Sequence, residues 1–381
     1  MQITRRLDEV CSIVMGQAPP GESYNLEGVG WPLVAGPGDF QGDRPVVKKF
    51  TKDAARCSST GDIILGVRAS IGVKVWSDRV YALGRGVAGL TPDENIEPRY
   101  LWHWLTKSAP ELLAKGKGAI FKQVTRHDIA EMEVPLPSME EQRRIADVLD
   151  RVDALRVARR MWLQELDGLV ESWFDHHMLN PARDARLVTL ESVADLQGGL
   201  QVSGSRRGNP NDVPYLRVAN VHRNALDLSD VKRLRVTETE ARRTLLAAGD
   251  VLVVEGHGNR LEVGRAAMWE EAIDGCVHQN HLMRVRFDPD KVLPEFGLFV
   301  LNSQIGRRYF RRMSKTTSGL NTINMTSLKG MTVPVVSLDE QEAFRSILLL
   351  KREQEVRGRR ALGELDALFA SLQHRAFRGE L

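Results

Sequence analysis

The apolar positions along the chain are most regular between Val134 and Phe174, where they recur at steps of three and four residues. This spacing places them on one face of a helix, because an α-helix completes a turn every 3.6 residues. About 36 helical residues would span roughly 54 Å, which is too long to be covered by one small domain. The pattern therefore predicts a long amphipathic helix that needs a helical partner. Its apolar positions are Ile145, Val148, Leu149, Val152, Leu155, Trp162, Leu163, Leu166, Leu169, Val170 and Trp173.

A second copy of this stretch runs from Val333 to Gln373 and matches the first without a gap. Such a match indicates an internal duplication. In both copies a serine stands three residues before a glutamate, Ser138 and Glu141 in the first and Ser337 and Glu340 in the second. This spacing predicts a capping box at the start of each helix. We expect the two helices to pair as an antiparallel coiled coil and bury both apolar stripes.

The segments before each long helix have a weaker but related pattern. Residues 60–76 and 248–269 both read as a Gly-Asp turn, an apolar strand, a polar loop and a second strand, which predicts a hairpin. Residues 98–116 and 294–313 each predict an amphipathic helix that begins with proline. Each helix is followed by a polar loop without a cluster of acids, suited to phosphate and base-edge contacts. Solvated hairpin tips and simple connectors are the alternative interpretation of these loops.

Composition limits the class of protein. The chain has 381 residues, of which 42% are hydrophobic, and this is enough for two domain cores. No apolar run approaches the ~20 residues of a membrane span and the first residues are charged, so we expect a cytoplasmic protein. Three cysteines exclude a disulfide framework. The net charge is +3, and residues 181–334 hold 22 basic against 17 acidic side chains, which permits a polyanion site.

Motifs for catalysis are missing from the sequence. No GxxxxGK[ST] phosphate loop occurs, and the glycine loops at 36–40 and 84–89 lack the strand-loop-helix context of a phosphate cradle, so they are expected to be turns. The histidine pairs, His176-His177 and His278 with His281, have no third ligand at zinc-site spacing. An intrinsic methyltransferase or nuclease is therefore disfavoured. We expect no catalytic residue, no metal site and no cofactor on this chain.

Several motifs together resemble the specificity subunit of type I restriction-modification systems. They begin with the Val-Pro-Leu-Pro-x-x-x-Glu-Gln-x-x-Ile segment at Val134 and include SWFDHHMLNP and HRAFRGEL after the two long helices. Inside the globular segments they are GDIILGVRASIGVKVW, LGRGVAG, HQNHL and SGLNTIN. The resemblance extends over essentially the whole chain.

The resemblance implies an α+β fold in which two globular α/β target-recognition domains are separated by two long helices. The implied boundaries are 1–135 for the first domain, 136–180 for the first spacer helix, 181–334 for the second domain and 335–381 for the second helix and tail. Each domain would read one half of a bipartite, asymmetric double-stranded DNA target. Two modification (methyltransferase) subunits and the restriction (translocase/endonuclease) subunits would be partners, carrying S-adenosylmethionine, ATP and Mg²⁺.

Candidate contact residues follow from this division of roles. Arginine and lysine would contact phosphate or guanine, and asparagine and glutamine can pair with adenine. The DNA candidates in the first domain are Arg68, Ser70, Lys74, Lys115, Lys117, Lys122 and Gln123, and those in the second are His257, Asn259, Arg260, Lys315, Thr316, Asn321 and Asn324. Trp162, Trp173 and Phe377 are candidate anchors for the modification subunits, with burial inside the chain as the alternative.

A hypothesis from another class remains open. The coiled coil could hold two divergent protein-binding domains in a non-catalytic scaffold without DNA affinity. Salt-dependent DNA binding separates the two hypotheses, because phosphate contacts make affinity fall as salt rises.

Overall fold

The computed structural model describes residues 3–118, 122–178, 186–317 and 319–381 and divides into two compact units. The first comprises Met1–Met161 with Gly358–Leu381, and the second comprises Trp162–Arg357. Each unit thus contains one globular segment and a part of both long helices. The implied boundary at residue 180 lies outside the described residues.

The first unit is built on two four-stranded sheets. One has the order β2-β11-β8-β9 and is antiparallel, and the other has the order β10-β4-β7-β3 with β4 and β10 parallel. The predicted hairpin is confirmed as β8 and β9, and β8 is buried along its length. The elements are β1 Thr4–Arg6, β2 Cys11–Met15, β3 Tyr24–Asn25, β4 Trp31–Val34, β5 Phe40–Gln41, β6 Arg44–Pro45, β7 Lys49–Thr51, β8 Ile63–Gly66, β9 Lys74–Trp76, β10 Ala82–Leu83, β11 Val87–Pro92, α1 Pro98–Lys115, α2 Arg126–Ala130, β12 Glu133–Pro135 and the first long helix α3 Met139–Met178.

The second unit repeats this plan with additional strands. A sheet of order β14-β23-β19-β21 contains the second predicted hairpin, β19 with β21, and β15 pairs in parallel with β22. The elements are β13 Arg186–Thr189, β14 Ala194–Gly198, β15 Asn211–Leu216, β16 Val221–His222, β17 Ala225–Leu226, β18 Lys232–Val236, α4 Glu238–Thr244, β19 Val251–Val254, β20 Gly256–His257, β21 Ala266–Met268, β22 Val277–His278, β23 Leu282–Phe287, α5 Pro294–Asn302, α6 Gln304–Met313, β24 Lys315–Thr317, β25 Leu320–Thr322, α7 Met325–Lys329, β26 Thr332–Val335 and the second long helix α8 Leu338–Ala376.

The single helix predicted for residues 294–313 is wrong, because the structure has two helices, α5 and α6, there. Ser303 stands between them with an extended backbone, and its Oγ accepts the Ile305 N–H and so caps the second helix. The same Oγ donates to the Val300 carbonyl at 2.8 Å. One serine therefore ends the first helix and begins the next.

The two long helices pack antiparallel within the first unit. Near the beginning of α3, Arg144 donates to the Leu381 carbonyl at 2.6 Å, and further along it Arg156 donates to Asp366 at 2.6 Å. The guanidinium of Arg156 also lies 4.2 Å from the ring centroid of Phe369. A later residue of α3 therefore contacts an earlier residue of the second copy, so the two helices run antiparallel.

In the second unit the helix parts meet through aromatic rings. Phe344 is fully buried, and its ring centroid lies 5.5 Å from Trp173, 5.3 Å from Phe174 and 4.8 Å from Phe299. These rings join α3, α5 and α8 in the core of this unit.

The predicted apolar stripe is wrong at three of its positions. Leu155 is 57% exposed, Leu169 is 68% exposed, and Leu368, which matches Leu169 in the second copy, is 47% exposed. At 100° per residue, Leu155 and Leu169 lie about 80° and about 120° around the helix from Ile145, which is buried. The buried face therefore runs through Val152 and Val170 and leaves these leucines at the surface.

A glutamine fixes each long helix to the globular part of its own unit. Gln142 accepts the Glu97 N–H at 2.9 Å and donates to the Asn95 and Pro137 carbonyls. In the second unit Gln341 accepts the Leu293 N–H at 2.8 Å and donates to the Lys291 and Val336 carbonyls. Both amides are buried and fully hydrogen-bonded, so these joints are rigid and specific.

Candidate nucleic-acid interface

Five of the predicted DNA residues of the first unit lie close together beyond the end of β8. Lys117 and Gln123 exchange two backbone hydrogen bonds of 3.0 and 2.9 Å, and Arg68 forms a bridge with Gln123. The Ala69 N–H donates to the Lys122 carbonyl at 3.1 Å. Ser70 follows as an exposed residue. Segments far apart in sequence thus present three cations and an amide on one small surface.

The second unit brings its candidates together as a three-stranded sheet. Strand β25 lies between β20 and β24, so that Asn321 pairs with both His257 and Thr316. Lys315 pairs with Thr322 in the same sheet. Arg260 lies close by and donates to the Arg311 carbonyl at 2.9 Å and to the Ser314 Oγ at 3.1 Å.

The two surfaces share one backbone framework. The Val124 N–H donates to the Val67 carbonyl at 3.0 Å, and the Ile323 N–H donates to the Glu255 carbonyl at 2.9 Å in the equivalent place. The strand pairings then match residue by residue but with different side chains. The equivalent pairs are Arg68 with Gly256, Ala69 with His257, Lys117 with Lys315, Lys122 with Asn321 and Gln123 with Thr322.

Three asparagines predicted to read bases are engaged by the protein. Asn321 is 8% exposed, and its amide donates to the His257 and Gly258 carbonyls while its oxygen accepts from Thr316. Asn259 accepts the Leu261 N–H, and Asn324 accepts the Ser327 N–H and so caps α7. For Asn321 these contacts correct the prediction, because both ends of its amide are held by its own loops, whereas base contacts by the exposed Asn259 and Asn324 stay a prediction.

Two predicted lysines of the first unit make their contacts with residues of helix α1. The ammonium of Lys74 donates to Thr106 at 2.6 Å and lies 4.4 Å from the ring centroid of Trp102. Burial lowers the pKa of Lys74 to about 8, although nearby Asp153 acts in the opposite direction. Lys115 lies 3.9 Å from Glu111 at the end of the helix. Lys74 is therefore removed from the candidate surface.

The aromatic residues predicted as partner anchors pack inside their own units. Phe377 is 4% exposed and lies 5.2 Å from the Tyr100 ring, which corrects its assignment to an external contact. Trp173 is half-buried and stacks on His177 at 4.3 Å and on Phe344 at 5.5 Å. Trp162 is half-buried. The alternative of an intramolecular core fits Phe377 and Trp173.

Sequence reasoning missed two groups of basic residues. Arg85 lies with Arg68, Ala69 and four residues of the two glycine loops around an open depression of about 300 Å³. Its signal was an arginine between two glycines, in LGRGVAG. The exposed arginines of α6 flank the second surface, and their signal was two Arg-Arg pairs spaced by a turn. They are Arg307, Arg308, Arg311 and Arg312.

His278 is the last residue of β22 in the second unit. It is fully buried, and its ring nitrogens lie 3.2 Å from the Thr244 carbonyl and 3.3 Å from the Gln197 carbonyl. Burial lowers the pKa of His278 to about 4, which outweighs the two carbonyl contacts that favour the charged ring. Among the described residues, no group of three His, Cys, Asp or Glu side chains could hold a metal ion.

We expect the second unit to lose stability as the pH falls from about 6.5 towards 4. Histidine in an unfolded chain has a pKa near 6.5. Between pH 6.5 and 4 the unfolded chain therefore binds a proton at His278, whereas the folded protein does not. Above pH 6.5 His278 is neutral in both states, so its protonation costs the folded unit no stability there. At pH 4 about 3 kcal/mol of the free energy of unfolding should be lost. NMR of labelled histidine should show a His278 midpoint near pH 4, and a midpoint near 6.5 would contradict this expectation.

Comparison with known proteins shows which proteins this chain resembles in sequence. A family model described as the type I restriction modification DNA specificity domain matches residues 2–159. The specificity subunit of the StySPI enzyme of Salmonella potsdam is 27% identical, over 79% of this chain and 69% of its own length. The specificity subunit of the EcoKI enzyme of Escherichia coli K12 is 26% identical, over 77% of this chain and 67% of its own length.

A solved structure is similar in fold. The S subunit of a type I restriction-modification system from M. genitalium matches 99% of this chain and 96% of its own, with a TM-score of 0.53 and 16% identity. This likeness extends over both units. Within the described ranges no helix is long and apolar enough to cross a membrane. Residues 2–159 thus match the DNA specificity domain of type I restriction-modification systems, and over most of its length the chain is similar to specificity subunits of these systems.

Proposed function

We propose that this chain gives a type I restriction-modification complex its DNA sequence specificity, with each unit reading one half of a bipartite, asymmetric target. The observation that carries the proposal is the shared backbone framework of the two candidate surfaces. The framework keeps a lysine at one position, Lys117 or Lys315, and changes the neighbouring side chains. A constant cation suits the phosphate backbone, which is the same in every sequence, and variable neighbours suit different bases.

The chain supplies addressing, and the chemistry belongs to its partners. In this proposal two modification subunits bind S-adenosylmethionine and methylate the target, and restriction subunits use ATP and Mg²⁺. In this proposal the partner subunits contact the exposed faces of the long helices, where Leu155, Leu169 and Leu368 lie at the surface. The antiparallel helices would then set the number of unread base pairs between the two half-sites.

Salt dependence of DNA binding tests the electrostatic part of the proposal. The assembled methyltransferase should bind its target with an affinity that falls linearly on a plot of log K against log salt. Lys117→Ala and Lys315→Ala should each reduce that slope by about one without changing the preferred sequence. Lys74→Ala is the matched control, because its ammonium is held by Thr106, and it should leave the slope unchanged.

Methylation mapping tests the specificity itself. A host carrying this chain with its partner subunits should methylate one motif of two parts separated by a fixed gap, and the motif should disappear when the chain is deleted. A single continuous motif, or a motif independent of the chain, would contradict the proposal. Absence of any DNA affinity would favour the scaffold hypothesis.

A further inference from the structure

The turn that follows β10 in the first unit has a counterpart after β22 in the second. The Gly84 N–H donates to the Val34 carbonyl at 2.8 Å, and the Gln279 N–H donates to the Leu216 carbonyl at 2.9 Å. Each turn therefore continues the strand that pairs in parallel with the neighbouring sheet. The middle residue of the turn is Arg85 in one unit and Asn280 in the other.

Both turns are fixed to the backbone of the candidate surface. The Gly86 carbonyl accepts the Val67 N–H at 3.0 Å, next to Arg68, and the His281 carbonyl accepts the Glu255 N–H at 3.0 Å, next to Gly256. Arg85 and Arg68 both line the same open depression. The turn residues thus belong to the surface on which the predicted DNA residues lie.

The first turn leaves room for one side chain only. A Cβ on Gly84 would lie 2.7 Å from the Ala35 Cα, and a Cβ on Gly86 would lie 2.6 Å from the Ala35 carbonyl oxygen. Both positions therefore need glycine because the two backbones approach closely. Arg85 is exposed, and the close approach of Ala35 to Gly84 and Gly86 fixes the turn in which it lies.

The middle side chains are available for a ligand. Across residues 3–118, 122–178, 186–317 and 319–381, Arg85 makes no hydrogen bond or ion pair through its guanidinium, and the Asn280 amide group makes none either. Most other arginines near the surfaces are engaged, as Arg260 is with Ser314 and the Arg311 carbonyl. The asparagines 259, 321 and 324 are engaged by their own loops.

We infer that Arg85 and Asn280 are the equivalent base-reading residues of the two units, Arg85 for a guanine in one half-site and Asn280 for an adenine in the other. Arginine donates two hydrogen bonds to guanine O6 and N7, and asparagine matches adenine N6 and N7, both in the major groove. A rigid turn preorganises these contacts, since little conformational freedom is lost when DNA binds. The inference rests on the proposed DNA specificity and names the residues and bases by which it acts.

Methylation mapping with the complete methyltransferase tests the assignment. Arg85→Ala should reduce discrimination for guanine about 5- to 150-fold at one position of one half-site and leave the other half-site unchanged. Arg85→Lys keeps the charge but loses the paired donors, so it should retain binding and still lose discrimination. Asn280→Ala should relax one adenine position in the other half-site, and Asn95→Ala, a matched amide control at an exposed asparagine away from both candidate surfaces, should leave every base preference unchanged.

The outcomes separate this inference from the proposed function. If the wild-type complex shows no motif that depends on this chain, the proposed function itself fails. If the wild-type motif is present but Arg85→Ala weakens binding equally at all sequences and lowers the salt slope by about one, Arg85 is a phosphate contact and the inference is overturned. Unchanged motifs in both alanine variants would also overturn it. Thermal melts of the variants exclude misfolding, because neither side chain has a partner to lose among the described residues.

Discussion

Insertion of seven residues into each long helix, after Met161 and after Arg357, is expected to lengthen the unread gap of the DNA target and leave both half-sites unchanged. These points divide the two compact units, so the insertion keeps the contacts within each unit. Seven residues add about 10.5 Å and two turns less about 20°, so the apolar faces stay nearly in phase. That length corresponds to at most about three base pairs of 3.4 Å each.

Methylation mapping of the insertion variant measures the new gap directly. Insertion into α3 alone is the control. It lengthens only one of the two helices that continue from one unit into the other, so the helix contacts of both units cannot all be kept and the activity should be lost. A double insertion that methylates the original motif would refute the role of the helices as a spacer.

Replacing Phe344 by alanine is expected to destabilise the second unit by about 3–5 kcal/mol. The ring is fully buried, and it contacts Trp173, Phe174 and Phe299 on two other helices. Its removal leaves a cavity where three helices meet and removes aromatic pairs that contribute about 0.5–1.5 kcal/mol each. Urea unfolding followed by tryptophan fluorescence measures the change, because Trp173 stacks on this ring.

A leucine on the same helix provides the comparison for Phe344. Leu350 is 59% exposed, so Leu350→Ala should change the free energy of unfolding by less than about 0.5 kcal/mol. The unfolding transition of the first unit should be the same in both variants. A loss below about 1 kcal/mol for Phe344→Ala would mean that the aromatic cluster does not hold the unit together.

The regular elements could be predicted because their signals are local. The hairpins of residues 60–76 and 248–269 follow from a Gly-Asp turn and apolar strands, and helix α1 follows from its periodicity and its initial proline. The capping serines were predicted from spacing alone. In the second copy Ser337 and Glu340 form the complete box, whereas in the first Glu141 binds Arg144. A competing cation three residues away is invisible to the motif.

The candidate surface was predicted only at the level of segments. The polar loops do meet, but the sequence could not reveal whether an asparagine would face solvent or cap its own loop. The Asn321 amide donates to the His257 and Gly258 carbonyls. These residues are more than 60 positions away in the sequence, so the pattern could not predict the contact. Arg85 was overlooked because its glycines suggested a plain turn. Only the closeness of Ala35 explains why those glycines are needed.

The glutamines that fix the long helices have a consequence for how such proteins diversify. Gln142 and Gln341 bind main-chain groups of the globular segments, at Glu97 and Asn95 in one unit and at Leu293 and Lys291 in the other. Those positions carry unrelated side chains, yet the joint is the same. Because each glutamine binds only main-chain groups, it can bind any domain whose backbone follows the same path at this point. Recombination could therefore exchange a whole globular segment and so create a new DNA target in one event, without changes in the long helices.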